Sequence, residues 1–390
     1  MQIVAQGAQD KYISKNPEIT FFKTLHRRHT NFAVESIEQT FDGSVPRYGA
    51  TGTVSATISR NGDLVSAMWV EVDLPAIQKD DTDTAENAAR TRTAGDVYEL
   101  IDNITVSVGG QMIDRHYGDW MRISDDLTVG KGGRKDNLDA VRSWPKESTY
   151  KGLDVDGVTH MNADVPARKV RIPLSFWFCK EPGQALPLIA LQYHEVKVAM
   201  AFTSVVPTDT KVSLWADYVY LDSEERKKFA KQSHEYLIEQ LQTTGKTTLS
   251  GSSTKIRMTF NHPIKELVWT TEAYKVADDT ALAEPIKSAR LELNGHDRFA
   301  VRDAAYFKEV QQYQHHSGSA NAYVYSFALD PEKLQPSGSC NFSRIDNASL
   351  HLNTEPIDGT TNKDGSTRIY AVNYNVLRVK NGMGGLAYSN

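Results

Sequence analysis

Residues 53–58 read TVSATI and are followed by MWV at 68–70, and the same order returns as KIRMTF at 255–260 and LVW at 267–269. The first stretch of each pair alternates apolar and polar residues, which is the period of a half-buried strand. The second stretch of each pair carries a tryptophan. The two halves of the chain therefore predict the same pair of strands.

Two further landmarks repeat in the same order. Residues 105–111 (TVSVGGQ) and 290–296 (RLELNGH) each place a strand before a tight turn that contains glycine, and Asn-Gly between strands is a strong hairpin signal. The third landmark is an aromatic strand closed by two equally spaced prolines, at Phe176, Pro182 and Pro187 and again at Tyr325, Pro331 and Pro336. The repeat predicts two similar β domains in tandem.

The length and composition agree with this interpretation. A chain of 390 residues is long enough for two domains of about 150–200 residues each. Apolar and polar residues alternate in at least five short bursts per half, which is typical of antiparallel sheets packed as a sandwich. The 17 Tyr, 13 Phe and 6 Trp residues also favour strands. We therefore predict an all-β chain with two sandwiches.

Three segments interrupt the alternating pattern. Residues 76–96 and 125–167 read as two long surface loops of the first half, because they are polar or rich in glycine. Residues 222–242 predict a helix that links the two sandwiches, with Asp222 or Ser223 as its cap and acidic residues in its first turn. The apolar stripe of this helix consists of Phe229, Tyr236, Leu237 and Leu241.

Charge and cysteine content limit the function. A net charge of −5 with scattered basic residues argues against direct, sequence-specific binding to nucleic acid. The two cysteines, Cys179 and Cys340, favour a reducing compartment and lack the paired spacing of a zinc site. The sequence leaves open whether its three N-x-S/T triplets carry sugar, at Asn103, Asn341 and Asn347.

Two histidine pairs are the candidates for metal ligands. His26 and His29 flank two arginines between stretches that predict strands, and His315 and His316 follow a Gln-rich stretch that predicts the end of a helix. Neither pair has the further carboxylate or histidine that a metal site needs. We interpret the first pair as part of an exposed cationic segment and the second as a loop.

Two glycine-rich stretches resemble phosphate sites only superficially. Residues 130–135 read GKGGRK and lack the Ser or Thr that follows the lysine of a P-loop. The cluster Gly382, Gly384 and Gly385 has no helix after it that could bind a dinucleotide. A GxSxG motif is also absent. The sequence therefore predicts no catalytic, cofactor-binding or metal-ligating residue, no cofactor and no enzyme.

Stretches along the whole chain resemble the major capsid proteins of large eukaryotic double-stranded DNA viruses. The ending is the most specific part, with YAVNYNVLR at 370–378 and GMGGLAYSN at 382–390. The other matching stretches are residues 1–10, 16–23, 27–33, 58–64, 186–196, 233–240 and 342–348.

This resemblance implies a double jelly-roll fold, with two tandem eight-stranded antiparallel sandwiches and a linking helix. The boundaries would be 1–221 for the first jelly roll, 222–242 for the helix and 243–390 for the second jelly roll. Three chains would form a pseudo-hexagonal capsomer, and capsomers would tile an icosahedral virion shell around an internal membrane and the genome. The long loops of the first half would lie on the outer surface and the N-terminal segment toward the inner base.

The same resemblance implies the partners. They would be further copies of the chain, neighbouring capsomers, minor capsid proteins and proteins associated with the internal membrane, with assembly in the host cytoplasm. We expect residues 1–15 to be disordered or variably ordered in free trimers and to become fixed in the assembled shell. The near-neutral charge suits such a role, because strongly like-charged tiles would repel one another.

Two other classes remain open at this point. A carbohydrate-binding, lectin-like jelly roll would need aromatic and polar side chains on a concave face, which a sequence does not show. A jelly-roll enzyme would need a His/Glu metal cluster on its strands, and the sequence shows none. A stable trimer would favour the capsid interpretation, and a glycan-binding monomer would favour the lectin-like one.

Overall fold

We analysed a computed structural model of the chain. It describes residues 5–76, 97–129, 151–153, 159–161, 167–249, 252–271, 286–354 and 366–389.

The first half consists mainly of strands with short helices between them. After a single helical turn, α1 (Lys11–Ser14), come β1 (Phe32–Gln39), β2 (Gly52–Thr57), β3 (Leu64–Leu74), β4 (Ile101–Val108), β5 (Gln111–Tyr117), α2 (Gly118–Thr128), β6 (Lys151–Leu153), β7 (Thr159–Met161), β8 (Arg168–Pro173), α3 (Trp177–Lys180), β9 (Val196–Phe202) and β10 (Lys211–Leu221).

The second half repeats this arrangement with shorter connections. It contains α4 (Ser223–Lys231), β11 (His234–Thr248), β12 (Ser253–Met258), β13 (Pro263–Thr271), β14 (Ile286–Leu293), β15 (His296–Asp297), β16 (Arg302–Asp303), a π-helical turn (Tyr306–Val310) that continues into α5 (Gln311–His315), β17 (Tyr323–Ser326), β18 (Cys340–Asn341), β19 (Ala348–Thr354), β20 (Ser366–Lys380) and β21 (Met383–Leu386).

Each half forms two facing antiparallel sheets. Sheet A has the order β1-β10-β3-β8 and sheet B the order β2-β9-β4-β5, whereas sheet C has the order β11-β20-β13-β17 and sheet D the order β12-β19-β14-β15. When the eight main strands of each half are counted along the chain, both halves have the orders 1-8-3-6 and 2-7-4-5. The prediction of two eight-stranded jelly-roll sandwiches is confirmed.

Three apolar clusters hold the molecule together. One fills the first jelly roll between sheets A and B, and a second fills the second jelly roll between sheets C and D. The third cluster joins the two jelly rolls: Trp120, Ile123 and Leu127 of α2 pack with residues of sheet C, among them Val268 and Tyr370. Burial of apolar surface stabilises a contact by about 25 cal/mol per Å². This third cluster therefore stabilises the association of the two jelly rolls.

The predicted linking helix is too long. Asp222 does cap a helix, since its side chain accepts hydrogen bonds from the amides of Glu224 and Glu225, but the helix ends at Lys231. Residues from His234 onward form β11, which pairs antiparallel with β20. Helix α4 buries no side chain, so packing does not favour its extension, whereas β11 gains a full ladder of backbone hydrogen bonds.

The structure confirms the first two sequence landmarks and only part of the third. The strands of the first and the hairpins of the second are present, as β2 and β3, β12 and β13, β4 and β5, and β14 and β15. In the third, Tyr325 lies in β17, but Phe176 lies between β8 and α3. The strand predicted there is wrong, because Phe176 ends an extended segment and precedes a helix.

Two loop predictions need further correction. The loop expected at 125–167 begins later, because α2 extends to Thr128, and strands β6 and β7 pair within it. Most of this loop and nearly all of the loop at 76–96 lie outside the described residues. Strands were also expected on both sides of His26 and His29: the one after them is confirmed as β1 from Phe32, whereas the one at 20–22 is wrong, because Phe21 and Phe22 form a turn.

Candidate functional site

The outer face of sheet C is covered by α2 of the first jelly roll. Trp120 lies with its ring centroid 5.3 Å from that of Tyr370, and Tyr370, Val268 and Ile123 are fully buried. Burial raises the pKa of the Tyr370 hydroxyl far above its ordinary value, as expected for a phenol removed from water. The contact is therefore a dry interface between two sandwiches.

A cation lies at the edge of this interface. The Arg368 guanidinium on β20 is 5.1 Å from the ring centroid of Tyr117, and its Nη1 is 3.8 Å from Oδ2 of Asp119 at the start of α2. Contacts of a guanidinium with an aromatic face and a carboxylate are favourable when partly desolvated. They hold the N-terminal end of α2 against sheet C.

A buried ion network continues the junction beside the apolar contact. Glu239 on β11 bridges two lysines: its carboxylate oxygens lie 2.6 Å from Nζ of Lys180 in the first jelly roll and 2.5 Å from Nζ of Lys265 on β13. Although burial favours the neutral acid, the charges of both lysines outweigh it and lower the pKa of Glu239 to about 2. One carboxylate thus ties the two jelly rolls together.

His316 forms the centre of a second ionic group. Its Nε2 lies 3.2 Å from Glu266 and its Nδ1 lies 3.2 Å from Glu332, while its side chain is only 2% exposed. Burial disfavours the charged imidazole, but the ion pairs with both carboxylates, together with the hydrogen bond that Nδ1 donates to Glu332, raise the pKa of His316 to about 9. The imidazolium is therefore the stable form at neutral pH.

The residues after His316 connect this group to the first jelly roll. The Ser317 hydroxyl donates to the Thr128 carbonyl over 2.8 Å, and the Gly318 amide donates to the Leu127 carbonyl over 2.7 Å. The Ser317 amide also donates to Glu332 over 2.9 Å. The C-terminal end of α2, whose carbonyls have no partner inside the helix, is satisfied in this way by the second jelly roll.

A polar cavity of about 620 Å³ lies among these groups. Both lysines on its wall pair with Glu239, and the other carboxylates have histidine or tyrosine partners. No cluster of three His, Cys, Asp or Glu side chains that could hold a metal occurs in the part of the chain that the structure describes. The arrangement provides cohesion between jelly rolls. The charged side chains lining the cavity are Asp114, Asp125, Lys180, Glu239, Lys265, Glu266, His316 and Glu332.

The outer face of sheet A has a different character. Trp69 and Trp215, which are direct partners on β3 and β10, stack with ring centroids 6.2 Å apart and planes inclined by 2°, and both are only partly buried. On the edge strand β1, Phe32 is 52% and Val34 is 54% exposed. Exposed apolar surface of this kind marks an interaction site.

Charged side chains adjoin the tryptophan pair on this face, because Glu71 is two residues from Trp69 on β3 and Glu38 is the β1 partner of Trp215. Glu71 accepts from Lys169 over 2.6 Å and from Arg171 over 3.0 Å. The hydrogen bond from Lys169 is the main cause that lowers the pKa of Glu71, and it outweighs partial burial. The face therefore places the stacked tryptophans among charged side chains, as a polar rim surrounds apolar anchors in protein interfaces.

The N-terminal segment before β1 is a second exposed apolar feature. Residues 5–31 are exposed apart from Ser14. Three aromatic side chains stand almost fully in solvent: Tyr12 is 93%, Phe21 is 91% and Phe22 is 98% exposed. Large apolar side chains in this state are candidates for burial against a partner.

Neither predicted histidine pair forms a metal site within the described residues. His26 and His29 lie in the exposed segment, as expected, and Nδ1 of His29 is 2.7 Å from the Thr30 carbonyl. His315 ends α5 as predicted. The interpretation of His316 as a loop residue without ionic partners was incomplete, because Glu266 and Glu332 lie on separate elements and no local spacing signals their approach.

The C-terminal glycines have a structural role that the sequence did not reveal. The Tyr193 amide donates to the Gly382 carbonyl over 2.9 Å, and the Gly384 amide lies 3.1 Å from Nδ1 of His194. A Cβ at Gly382 would lie 2.6 Å from the Tyr193 ring, and one at Gly384 would lie 2.6 Å from Leu191. These glycines let the β20–β21 hairpin lie directly against the first jelly roll.

Other sequence candidates have structural surroundings or lie outside the described residues. Burial raises the pKa of the Cys179 thiol to about 12, which makes it a poor nucleophile, and residues 130–135 are not described. Among the described residues no helix is long and apolar enough to span a bilayer. Of the three sequons, Asn103 lies in β4, Asn341 caps a 3₁₀ turn, and the Asn347 amide bonds to Asn294.

Comparison with known proteins gives a consistent result. The family model "Major capsid protein N-terminus" matches residues 20–222, and the model "Large eukaryotic DNA virus major capsid protein" matches residues 225–385. The major capsid protein of Pyramimonas orientalis virus is 44% identical, with alignment over 100% of this chain and 99% of that protein. The major capsid protein of Paramecium bursaria Chlorella virus 1 is 40% identical with the same coverage.

Solved structures agree with these relatives. A subunit of a quasi-atomic model of the PBCV-1 virus capsid superimposes with a TM-score of 0.77 at 37% identity, covering 95% of this chain and 100% of that one. The Faustovirus major capsid protein shares the fold, with a TM-score of 0.70 at 11% identity over 96% of this chain and 94% of that one. The chain belongs to the major capsid protein family of large eukaryotic DNA viruses, and it is a structural subunit of the virion capsid.

Proposed function

We propose that three copies of this capsid protein form a pseudo-hexagonal capsomer and that such capsomers tile an icosahedral shell. The observation that carries the proposal is the identical strand order of the two jelly rolls in one chain. Two similar sandwiches per chain give a trimer six similar edges, although only its threefold symmetry is exact. One protein then fills a hexagonal lattice.

The proposed domain division follows the same repeat. The first jelly roll comprises residues 1–221, helix α4 connects the halves, and the second jelly roll begins with β11 at His234 rather than at residue 243. The limits of the two family models, 20–222 and 225–385, support a boundary at the same place.

The partners of the capsomer follow from its role. Neighbouring capsomers, minor capsid proteins and proteins of an internal membrane are the proposed contacts, with assembly in the host cytoplasm. Association rather than catalysis is the proposed activity. The relatives reported above favour this interpretation over a carbohydrate-binding, lectin-like protein.

The trimer is tested by size-exclusion chromatography with light scattering. The chain has a mass of 43.5 kDa, and we expect a species of three times that mass which persists on dilution, because obligate interfaces are large and apolar. A monomer at all concentrations, or a monomer that binds glycans, would contradict the proposal.

The N-terminal segment is proposed to become ordered during assembly. The exposed Tyr12, Phe21 and Phe22 support this role, because their burial in the shell would offset the entropy lost on ordering. We expect limited proteolysis to cut residues 1–15 quickly in free trimers and slowly in particles. Equal cutting rates in the two states would sink this part of the proposal.

A further inference from the structure

Helix α2 occupies a defined place in the first jelly roll. It lies in the connection between the fifth and sixth main strands, β5 and β8. One of its faces belongs to its own domain, where Met121 enters the first core. The other face presents Trp120, Ile123 and Leu127 to the outer face of sheet C. The first jelly roll therefore caps the second through this helix.

The second jelly roll has a helix in the same connection. The π-helical turn Tyr306–Val310 and α5 lie between the fifth and sixth main strands, β15 and β17. Phe307 enters the core of its own domain, as Met121 does in the first. On another face Tyr306, Val310 and Tyr313 follow at helical spacing, with Val310 41% and Tyr313 89% exposed. Tyr306 packs partly buried against the second core, whereas Val310 and Tyr313 face solvent in the single chain and form the part of the stripe that is open to a partner.

A receiving surface for such a stripe exists on sheet A. In sheet C, the residues that α2 covers include the partners Val268 and Tyr370, which join the third and eighth main strands. In sheet A, Trp69 and Trp215 join the same two strands and also lie on the outer face, where they are only partly buried. Val34 is exposed on the same outer face of edge strand β1, opposite Val219 and separated from the tryptophans by the Ser36–Asp217 pair.

We infer that the helix 306–315 of one copy packs on the outer face of sheet A of a second copy, against Trp69 and Trp215. This contact would repeat between chains what α2 and sheet C make within a chain. The two participating surfaces differ, so the contact is heterologous, and three such contacts close a ring. The inference rests on the proposed trimer and specifies which surfaces form it.

The test uses two full-length variants that each lose one surface. The helix variant carries Val310→Glu and Tyr313→Glu, and the sheet variant carries Val34→Glu and Trp215→Ala. Each should weaken the contact by about 100-fold or more, because a centrally placed pair of apolar anchors dominates an interface. We expect both variants to be monomers in light scattering at concentrations at which the unaltered chain is a trimer.

Mixing the two variants gives the sharper result. The helix variant keeps an intact sheet A, and the sheet variant keeps an intact helix, so one good contact is possible in the mixture. We expect a 1:1 mixture to form a dimer and no trimer. The matched control is Met112→Glu, a charge introduced at another exposed apolar position, 49% exposed on β5, which should leave the trimer intact.

Each outcome has one meaning. A trimer that survives both variants, or a mixture that stays monomeric, overturns the inferred contact while the proposed trimer stands. An unaltered chain that is monomeric overturns the trimer itself. If a circular dichroism spectrum shows that a variant does not fold, Val310→Ala with Tyr313→Ala and Trp69→Phe with Trp215→Phe replace it. Each contact through an altered surface is then expected to be about 10-fold weaker than in the unaltered chain, and the mixture should again form the dimer through its two unaltered surfaces.

Discussion

The outer faces of sheets A and C have the same strand order but opposite surroundings. On sheet C the Val268–Tyr370 pair is fully buried beneath α2, whereas on sheet A the stacked Trp69–Trp215 pair is only partly buried. Helix α2 of the first jelly roll covers sheet C of the second jelly roll within one chain. The equivalent contact on sheet A is not made within the described part of the chain and is left for a second copy.

The covered face should depend strongly on α2, and this is the largest effect we expect. Trp120→Ala removes the ring that packs on Tyr370, and the free energy of unfolding should fall by about 3–5 kcal/mol, as for other large aromatic truncations in cores. Urea unfolding followed by fluorescence measures this. Tyr12→Ala, at a position that is 93% exposed, is the control, and equal effects of the two changes would remove the distinction between covered and open surfaces.

The ion network should be nearly as sensitive. Glu239→Gln leaves Lys265, whose side chain is 4% exposed, without its carboxylate, and breaking a buried pair in this way costs about 3–5 kcal/mol. We expect Glu239→Gln to lower the free energy of unfolding by about 3 kcal/mol in chemical denaturation. The matched control on the same strand is Glu235→Gln, whose pair with Arg378 is exposed and should contribute at most about 1 kcal/mol. Similar losses for both variants would show that burial does not govern these pairs.

The ionic group around His316, at the contact between the two jelly rolls, should make stability depend on pH, whereas the open face of sheet A should not. The pKa of His316 is raised from 6.5 to about 9. The stabilisation that protonated His316 gives to the folded state is therefore complete below pH 6.5 and is lost as the pH rises through 9. The free energy of unfolding should therefore decrease between pH 7 and pH 10, by up to about 3 kcal/mol. The decrease should be absent in His316→Gln, and an identical pH profile in that variant would assign the effect to another group.

The smallest effect is expected on the open face. Val34→Glu places a charge on the exposed edge of sheet A, and the stability of the isolated chain should change by no more than about 0.5 kcal/mol. The corresponding change on the covered face, Val372→Glu, should be severe, because it buries a charge in the cluster beneath α2. Thermal unfolding compares the two changes directly when each is placed in the monomeric helix variant (Val310→Glu with Tyr313→Glu). A large loss with Val34→Glu would mean that the chain already covers this surface.

Much of the fold followed from local pattern. The alternation around Val54 and Ile256 predicted β2 and β12, and the glycine turns predicted both hairpins. The predicted helix was longer than the observed one because a short apolar stripe fits the period of a helix as well as that of a strand. Tyr236, Leu237 and Leu241 can line a helix, but their pairing with β20 makes them part of β11. Tertiary pairing overrode a helical signal that had no buried face to stabilise it.

The repeated tryptophans show a finer limit. Trp69 is the second residue of MWV and Trp269 the third residue of LVW; Trp269 is fully buried in the second core, and Trp69 lies on the outer face of sheet A. A shift of one residue moves a side chain to the opposite face of a strand. Register shifts interrupt the pairing of both strands, and a sequence pattern does not reveal which face results.

By itself, the sequence determined the class of the fold, its duplication and its family, because strand period, turn chemistry and family motifs are all written in neighbouring residues. Only the tertiary structure decided which sheet face is covered, that His316 lies between two carboxylates, and that Glu239 joins the jelly rolls through Lys180. These contacts bring together residues from separate elements, and their energies depend on burial and distance, which the order of residues along the chain does not specify.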